Sequence, residues 1–381
     1  MRIAAANPPL RPSVRRILLL SECSLRNPTF KNVLPQLGRK YTAAGYDVTV
    51  AAPLSPNSFT TPRETFRYRT RWGAVECIGG RTPRASAAAA RNIGDQAVAL
   101  LNRADAAHLH LIGSYTAVLE RLADALRHLP IPVLISFHDY GNPIIERTPE
   151  HLQGLAELLR NRRVTVLSSY GREKILCDFP FLRKSLHVVP EGIDVSEKAD
   201  SGARGGFVLC PAWLSYYKGV DILLMAWARL APKPLRLVFT GREHRRSHLR
   251  GMARRLGLGD ACEFMGQVSH ARMLDLMRKS EFVVLPSRHE FFGIAALEAM
   301  ALGKAVIASR TGFADFIKDG VSGLLIPPGN LPLLERAISR LIRDRILRDR
   351  LGCNAVIASV PYSWDAIAER YMRLISGIHP V

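Results

Sequence analysis

The chain has 381 residues, 48% of them hydrophobic and 23% charged, and this balance excludes a disordered, collagen-like or disulfide-scaffold protein. Lys and Arg number 53 and Asp and Glu 33, which gives a formal net charge of +20. About half of this excess lies in residues 1–91, which hold 15 basic and 4 acidic residues. Basic surfaces attract nucleic acids, anionic membranes or phosphorylated ligands, but an arginine-rich genome would also produce such an excess.

No apolar stretch approaches the roughly 18 residues that a membrane-spanning helix needs. The apolar run from Ile17 to Leu20 is too short for the core of a secretory signal. The six cysteines show neither metal-ligand nor redox spacing, which is typical of buried thiols in a reducing compartment. We therefore expect a cytoplasmic protein with two domains.

The first half of the chain alternates short apolar runs with helical patterns. Each run is continuously apolar, which is typical of strands buried in a parallel sheet. The predicted strands cover residues 16–21, 46–53, 107–112, 133–137, 164–168 and 186–190, with a helix at 34–44. A polar stretch rich in Gly and Ala at 194–206 is predicted to link two domains.

The same alternation restarts after this linker. Strands are predicted at 207–210, 235–240, 281–286 and 305–308, and helices at 219–230, 293–302 and 363–376. Two blocks of alternating strands and helices predict two doubly wound parallel sheets. Ligands of such sheets bind beyond the carboxyl ends of the strands, so the cleft between the domains is the expected site.

The most informative stretch runs from Pro286 to Met300. A strand ends at Pro286, and a helix is predicted to begin near Gly293, between Glu290 and Glu298. The amides and positive dipole of a helix N-terminus suit an anion such as a diphosphate, and each carboxylate can accept hydrogen bonds from vicinal hydroxyls. A nucleotide sugar matches this order. A helix with an acidic first turn and one solvated glutamate would have the same spacing.

This stretch resembles the Glu-x7-Glu motif of the family 4 retaining glycosyltransferases, which have the GT-B fold. Further segments resemble family motifs in the same order over nearly the whole chain, at 46–50, 108–110, 136–139, 189–194, 218–221, 320–325 and 362–364. The resemblance implies two Rossmann-like domains that face each other across a cleft. Residues 1–195 would bind the acceptor and 206–362 the donor, and a C-terminal helix within 363–381 would cross back to the N-terminal domain.

The resemblance also implies roles for individual residues. Glu290 would bind hydroxyls of the transferred sugar, Glu298 the ribose, and Lys218 the leaving diphosphate. His138 would lie beside the sugar on the acceptor side. Backbone amides would face the diphosphate or sugar at Phe292, Gly293 and Ile294. The implied reaction moves a sugar from a nucleoside diphosphate, UDP- or GDP-linked, with retention of configuration and with neither a cofactor nor a metal.

Two segments depart from the family pattern. The family has Gly-Arg five residues before its lysine, whereas this chain has Ala212 and Trp213, so an expected phosphate-binding arginine is absent. Arg242, after the strand at 235–240, could replace it in part or be a solvated arginine. The first loop, at 22–29, lacks the glycines of the family, so either the acceptor differs or the loop moves.

Three histidines fall on predicted strands or their ends. His138 could be a core histidine, but its place before Asp139 at the carboxyl end of a strand favours a function. His108 and His110 are predicted to face opposite sides of one strand and to be structural.

A basic segment at 61–72 contains Tyr68 and Trp72, residue types that favour a membrane interface. It suggests a peripheral membrane enzyme with a lipid-linked or polyanionic acceptor, in cell-surface polysaccharide or glycolipid biosynthesis. The alternatives are a soluble small-molecule acceptor, a nucleotide-sugar epimerase or hydrolase of the same fold, or a catalytically silent basic binding protein. No nucleic-acid partner is expected, because no signature of a nucleic-acid-binding fold is present.

Overall fold

The computed structural model describes residues 15–21, 28–53, 66–70, 73–78, 95–111, 117–129, 131–139, 148–195, 205–231, 235–243 and 248–377. They form two compact units. Unit 1 holds the residues up to Leu167, Gly171–Val189 and those from Trp364 onward, and unit 2 holds Ser168–Tyr170 and Pro190–Ser363. In the described ranges, no helix is long and apolar enough to cross a membrane.

Unit 1 is built on a sheet of eight strands. Their bounds are β1 (Arg16–Ser21), β2 (Asp47–Pro53), β3 (Phe66–Thr70), β4 (Gly73–Ile78), β5 (Ala106–Leu111), β6 (Val133–Phe137), β7 (Arg163–Val166) and β8 (Leu186–Val188). The spatial order is β3-β4-β2-β1-β5-β6-β7-β8. All neighbours are parallel except the edge pair β3 and β4, which is antiparallel.

The helices of the first half of the chain are α1 (Pro28–Ala43), α2 (95–101), α3 (Ala117–His128), α4 (Pro149–Leu159) and α5 (Ser169–Asp178), with a 3₁₀ turn at Pro180–Lys184. The last helix, α12 (Trp364–Ser376), also belongs to unit 1. Its apolar residues recur with helical spacing, and they pack with α1 in the core of unit 1. The expectation that the C-terminal helix crosses back to the N-terminal half is therefore confirmed.

Unit 2 contains a six-stranded parallel sheet in the order β11-β10-β9-β12-β13-β14. The strands are β9 (Phe207–Pro211), β10 (Arg236–Thr240), β11 (Cys262–Phe264), β12 (Val283–Leu285), β13 (Val306–Ser309) and β14 (Leu324–Ile326). The helices are α6 (Val220–Arg229), α7 (Leu249–Arg255), α8 (His270–Lys279), α9 (Ile294–Ala301), α10 (Leu331–Arg343) and α11 (Arg345–Ser359). Short 3₁₀ turns lie at Gly259–Ala261, Gly312–Asp315 and Val360–Tyr362.

The two predicted doubly wound parallel sheets are confirmed. Every predicted strand overlaps an observed one and differs by at most two residues at either end. The chain passes from unit 1 to unit 2 between Val189 and Pro190. Most of the predicted linker at 194–206 lies outside the described residues, so the predicted domain limits stay predictions.

Candidate active site

In unit 2 the loop between β12 and α9 carries the predicted donor-binding residues. Gly293 precedes the first residue of α9 with a φ of 89°, a left-handed conformation that favours glycine. A Cβ on Gly293 would lie 2.0 Å from Cε1 of Phe313. On the other side of the loop, the backbone amide of Gly312 donates to the carbonyl of Glu290 over 2.9 Å. Close backbone packing therefore fixes where Glu290 stands relative to the helix start.

Lys218 and Glu290 form an ion pair at the carboxyl end of the neighbouring strands β9 and β12. Nζ of Lys218 lies 2.7 Å from Oε2 of Glu290, and their side chains are only 19% and 15% exposed. Gly219, which precedes α6, has a φ of 68°. A Cβ there would lie 2.0 Å from the carbonyl oxygen of Pro286. This close approach of two backbone segments brings the lysine to the glutamate.

Glu298 lies in the second turn of α9 and pairs with a residue that the sequence did not single out. Its Oε1 lies 2.6 Å from Nε2 of His270, the first residue of α8. Burial raises the pKa of Glu191 from 4.5 to about 8, and the charge of Glu298 adds to this rise. At neutral pH, Glu191 therefore contributes a protonated carboxyl to the surroundings of Glu298.

The predicted amides of Phe292, Gly293 and Ile294 lie at the N-terminal end of α9, where helix amides lack intrahelical partners. Arg288 anchors the same loop to α6. Its guanidinium donates to both carboxylate oxygens of Asp221, over 2.6 and 2.7 Å. Such a bidentate pair also fixes orientation, so the loop is held on both sides of Glu290.

Arg242 and Trp213 are neighbours in the fold, although 29 positions separate them in the numbering. The amide of Leu214 donates to the carbonyl of Arg242 over 3.0 Å. Arg242 is exposed, and Trp213 is 52% exposed. The structure thus brings Arg242 beside the position where the resembled family carries an arginine. A phosphate-binding role for Arg242 stays a prediction.

In unit 1 the polar residues at the carboxyl ends of β5 and β6 are buried histidines. His138 is 4% exposed, and its Nε2 lies 2.9 Å from Nδ1 of His110. Burial lowers the pKa of His108 and His110 well below 6.5 and that of His138 to about 3. The three imidazoles are therefore neutral at physiological pH.

The prediction that His108 and His110 face opposite sides of their strand is wrong. Their ring centroids are 4.0 Å apart. Side chains alternate between the two faces of a strand, so residues two apart share one face. Both histidines lie on the face that also carries Tyr371 of α12, whose ring centroid is 4.7 Å from that of His108.

Some predicted features lie outside the described part of the chain. Residues 22–27 of the first loop are among them, as are 61–65, 71 and 72 of the basic segment, and of 66–70 only the backbone of β3 is described. Within the described ranges, no group of three or more His, Cys, Asp and Glu is arranged to hold a metal ion. The expectation of a metal-free reaction stays a prediction.

Two family models together match most of the chain. The model described as Glycosyltransferase Family 4 matches residues 32–197, and Glycosyl transferases group 1 matches 196–356. An exopolysaccharide phosphotransferase of Streptomyces coelicolor is 30% identical over 62% of this chain and 24% of its own length. An alpha-D-kanosaminyltransferase of Streptomyces kanamyceticus is 32% identical over 71% of this chain and 76% of its own length. This chain thus spans about a quarter of the first relative and three quarters of the second.

Solved structures match almost the entire chain. A sucrose-phosphate synthase from Thermosynechococcus elongatus has a TM-score of 0.75 and 21% identity, over 94% of this chain and 98% of that one. Anabaena HepE, in complex with UDP and glucose, has a TM-score of 0.73 and 20% identity, over 96% of this chain and 100% of that one.

Fold and comparisons together define a GT-B protein with two Rossmann-like units, as predicted. The chain belongs to the family 4-like glycosyltransferases of group 1 type.

Proposed function

We propose that this glycosyltransferase moves a sugar from a nucleoside diphosphate donor, UDP- or GDP-linked, to an acceptor with retention of anomeric configuration. The observation that carries the proposal is the arrangement around α9. Lys218 pairs with Glu290 before the N-terminus of this helix, and Glu298 lies one turn beyond it. HepE, a structural neighbour, was solved with UDP and with UDP-glucose, which supports a donor of this class.

Each donor group has a proposed partner in unit 2. Glu298 accepts hydrogen bonds from the ribose hydroxyls, and Glu290 from hydroxyls of the transferred sugar. The amides of residues 292–294 and the ammonium of Lys218 bind the diphosphate, because a helix N-terminus and a cation both stabilise an anion. The exposed side chain of Arg242 could add a further positive charge.

The proposed chemistry needs charge stabilisation more than a strong base. The bond between the anomeric carbon and the phosphate oxygen breaks, so negative charge grows on the departing diphosphate and positive charge on the sugar ring. Preorganised cations and amides lower that barrier. The acceptor hydroxyl attacks from the side that the diphosphate leaves, and the leaving phosphate takes the proton of the hydroxyl. His138, assigned to the acceptor side, is neutral and contributes hydrogen bonds.

The acceptor is proposed to be lipid-linked or polyanionic, with the enzyme peripheral at the cytoplasmic face of the membrane and acting in polysaccharide or glycolipid biosynthesis. The excess of basic residues in 1–91 supports this assignment. The relatives include an exopolysaccharide phosphotransferase and a D-inositol 3-phosphate glycosyltransferase, so their names point to no single acceptor. A soluble small-molecule acceptor is the alternative.

A thermal-shift screen with UDP, GDP, ADP and dTDP tests the donor. A ligand that binds only the folded state raises its melting temperature, by an amount that grows with the ratio of ligand concentration to Kd. We expect one nucleotide to raise the melting temperature clearly more than the others. The absence of a shift with all four would contradict a nucleoside diphosphate donor of this set.

Two further assays separate the alternatives. A nucleotide-sugar epimerase or hydrolase would consume the donor at full rate without any acceptor, whereas the proposed transferase would not. Sedimentation with liposomes tests the membrane: binding should require anionic lipid and fall with salt, since charges in water are screened beyond about 8 Å at physiological ionic strength. Equal, negligible binding to neutral and anionic vesicles at low salt would favour the soluble acceptor.

A further inference from the structure

His138, the histidine proposed to lie on the acceptor side, contacts a second buried histidine of unit 1. Nε2 of His138 and Nδ1 of His110 lie 2.9 Å apart, within hydrogen-bond distance, and both side chains are buried. His110 extends from β5, the strand that pairs in parallel with β6, at whose carboxyl end His138 stands. The ring of His138 therefore has a polar contact with the sheet that supports it.

His110 is itself held by neighbours on its other side. The ring centroids of Tyr371, His108, His110 and His138 follow one another at 4.7, 4.0 and 5.2 Å, which makes a continuous stack from α12 to the end of β6. His108 is fixed within this stack by two hydrogen bonds, one between its Nδ1 and the hydroxyl of Tyr41 over 3.2 Å and one between its Nε2 and Oγ of Ser136 over 2.7 Å. Because the ring is neutral, one of its nitrogens donates and the other accepts.

The polar contacts continue from Ser136, whose Oγ lies 2.6 Å from Oγ1 of Thr165. His108 therefore has a defined orientation, and it packs directly against the ring of His110. A close-packed interior of this kind leaves a side chain few alternative rotamers. His110 can consequently transmit a fixed position to His138.

The hydrogen bond between two neutral imidazoles also couples the tautomer of one ring to that of the other. A neutral imidazole has one nitrogen that donates and one that accepts. If His110 donates, Nε2 of His138 accepts and the proton of His138 is on Nδ1. If His110 accepts, the proton of His138 is on Nε2. The partner at one nitrogen thus sets the state of the other, as is general for functional histidines.

We propose that His110 is a positioning residue that fixes both the ring orientation and the tautomer of His138. The proposal rests on the acceptor-side role given to His138 in the proposed function. It gives His110 a role in the reaction through His138, without contact to a substrate. His108, Tyr41 and Tyr371 hold His110 in place from behind.

The direct test is the tautomer of His138, read from the nitrogen chemical shifts of ¹⁵N-histidine-labelled protein and assigned with His138→Gln. The wild type should show one fixed tautomer. His110→Leu, which removes the hydrogen bond, should give the other tautomer or a mixture. Ser185→Ala is the control: it removes a side-chain hydrogen bond to the carbonyl of Leu182, in the same unit but outside this group of rings, and should leave His138 unchanged. An unchanged His138 tautomer in folded His110→Leu would overturn the proposal.

Kinetics give the second readout. In His110→Leu, kcat for transfer should fall on the order of 100-fold, because a small misplacement of a catalytic group has effects of that size. The affinity for the nucleoside diphosphate found by thermal shift should not change, which also shows that unit 2 is folded. His110→Asn, which keeps a polar group near the ring of His138, should recover part of the rate. Wild-type kcat in His110→Leu would contradict the proposal.

His138→Ala separates this inference from the proposed function. If His138→Ala retains full transfer while His110→Leu still changes the tautomer of His138, the acceptor-side role of His138 is wrong, and the control of its ring by His110 stands. If His138→Ala loses transfer and His110→Leu loses neither rate nor tautomer, the inference is wrong and the proposed function stands.

Discussion

The carboxyl ends of the strands carry neutral polar side chains in the sheet of unit 1 and charged side chains in the sheet of unit 2. In unit 1, His108, His110 and His138 are buried and uncharged, because burial lowers the pKa of each. In unit 2, Lys218 and Glu290 form an ion pair over 2.7 Å. The polarity at the carboxyl end of a parallel sheet is therefore set by the side chains on and after its strands and not by the sheet itself.

The difference extends beyond the edges. Unit 2 pairs further charges that are largely removed from solvent, Arg288 with Asp221 and Arg348 with Glu281. A buried charge without a partner costs several kcal/mol, roughly 3–5 when one member of a buried pair is removed. Charged groups suit a unit that is proposed to bind a diphosphate, and neutral imidazoles suit one that is proposed to bind hydroxyls. The following changes test that contrast, from the largest expected effect to the smallest.

Lys218→Met should remove the central charge of unit 2. The leaving diphosphate then loses a cation, and kcat for transfer should fall about 100- to 1,000-fold, as for other groups that stabilise charge in a transition state. Steady-state transfer with the best donor measures this. Lys279→Met is the matched control, because Lys279 is 53% exposed and pairs with Asp275 on α8. A Lys218→Met enzyme as active as the control would contradict the charge-based account.

Gly219→Ala should break the backbone contact that places Lys218. The new Cβ would meet the carbonyl oxygen of Pro286 at 2.0 Å, so we expect this overpacking to cost roughly 1–3 kcal/mol of folding free energy in addition to the cost of the left-handed backbone. Gly257→Ala is the control, since Gly257 has a similar φ of 66° with nothing within 4 Å of the added Cβ. Gly257→Ala should lose only the free energy that a left-handed backbone costs a residue with a Cβ, about 1–2 kcal/mol. Equal losses in urea unfolding would contradict the close-packing argument.

Acid should destabilise unit 1. The unfolded histidines bind protons near pH 6.5, whereas the pKa of folded His138 is about 3. Below pH 6.5 the unfolded state therefore binds more protons than the folded state does. The free energy of unfolding is highest above pH 6.5 and falls as the pH drops towards 3. Each neutral histidine lowers it by up to about 1.4 kcal/mol per pH unit. Hydrogen-exchange mass spectrometry in increasing urea measures the free energy of unfolding of each segment. For peptides from β5 and β6, this free energy should fall between pH 7 and pH 5.

A rise in pH from 4.5 to 8 should destabilise unit 2. The pKa of Glu191 rises from 4.5 to about 8 on folding, so the folded state binds the extra proton. Its stabilising contribution is complete below pH 4.5 and is lost as the pH rises through 8. Glu191→Gln should remove this loss in peptides from β9 and β12 and leave unit 1 unchanged. If unit 2 of Glu191→Gln loses as much stability between pH 4.5 and 8 as unit 2 of the wild type does, Glu191 is not the responsible group.

Removal of metal should have the smallest effect. Lys218 and the amides before α9 are proposed to carry the diphosphate charge, so transfer should persist at its normal rate in excess EDTA. The check is a rate measurement before and after chelation. Complete loss of activity that magnesium or manganese restores would overturn the metal-free mechanism.

The sequence predicted ten of the fourteen described strands, because continuous apolar runs such as β6 and β9 can be recognised without knowledge of their neighbours. It missed β3, β4, β11 and β14. In the sequence of β3, Arg67 and Arg69 alternate with Phe66 and Tyr68, and this pattern was interpreted as a basic surface segment. β11 has a glutamate at its centre and so lacks a continuous apolar run, and the first two residues of β14 were interpreted as part of the motif at 320–325.

The site was predicted only in part. The ion pair between Lys218 and Glu290 joins residues 72 positions apart, and the motifs named both residues without showing that they meet. His270 beside Glu298 was not predicted, because a histidine at a helix start has no distinctive local pattern. The shared face of His108 and His110 could have been found from strand periodicity alone, whereas the hydrogen bond between His110 and His138 required the register of β5 with β6.

The most direct test of the account is calorimetric titration of Glu298→Ala and Glu290→Ala with the nucleoside diphosphate that stabilises the wild type. Loss of the charged ribose acceptor should weaken binding to Glu298→Ala by about 1.5–3 kcal/mol. Glu290→Ala should bind the nucleotide nearly as the wild type does and lose turnover, because Glu290 is assigned to the sugar alone. If Glu298→Ala binds the nucleoside diphosphate as tightly as the wild type, the assignment of the donor site to α9 is wrong.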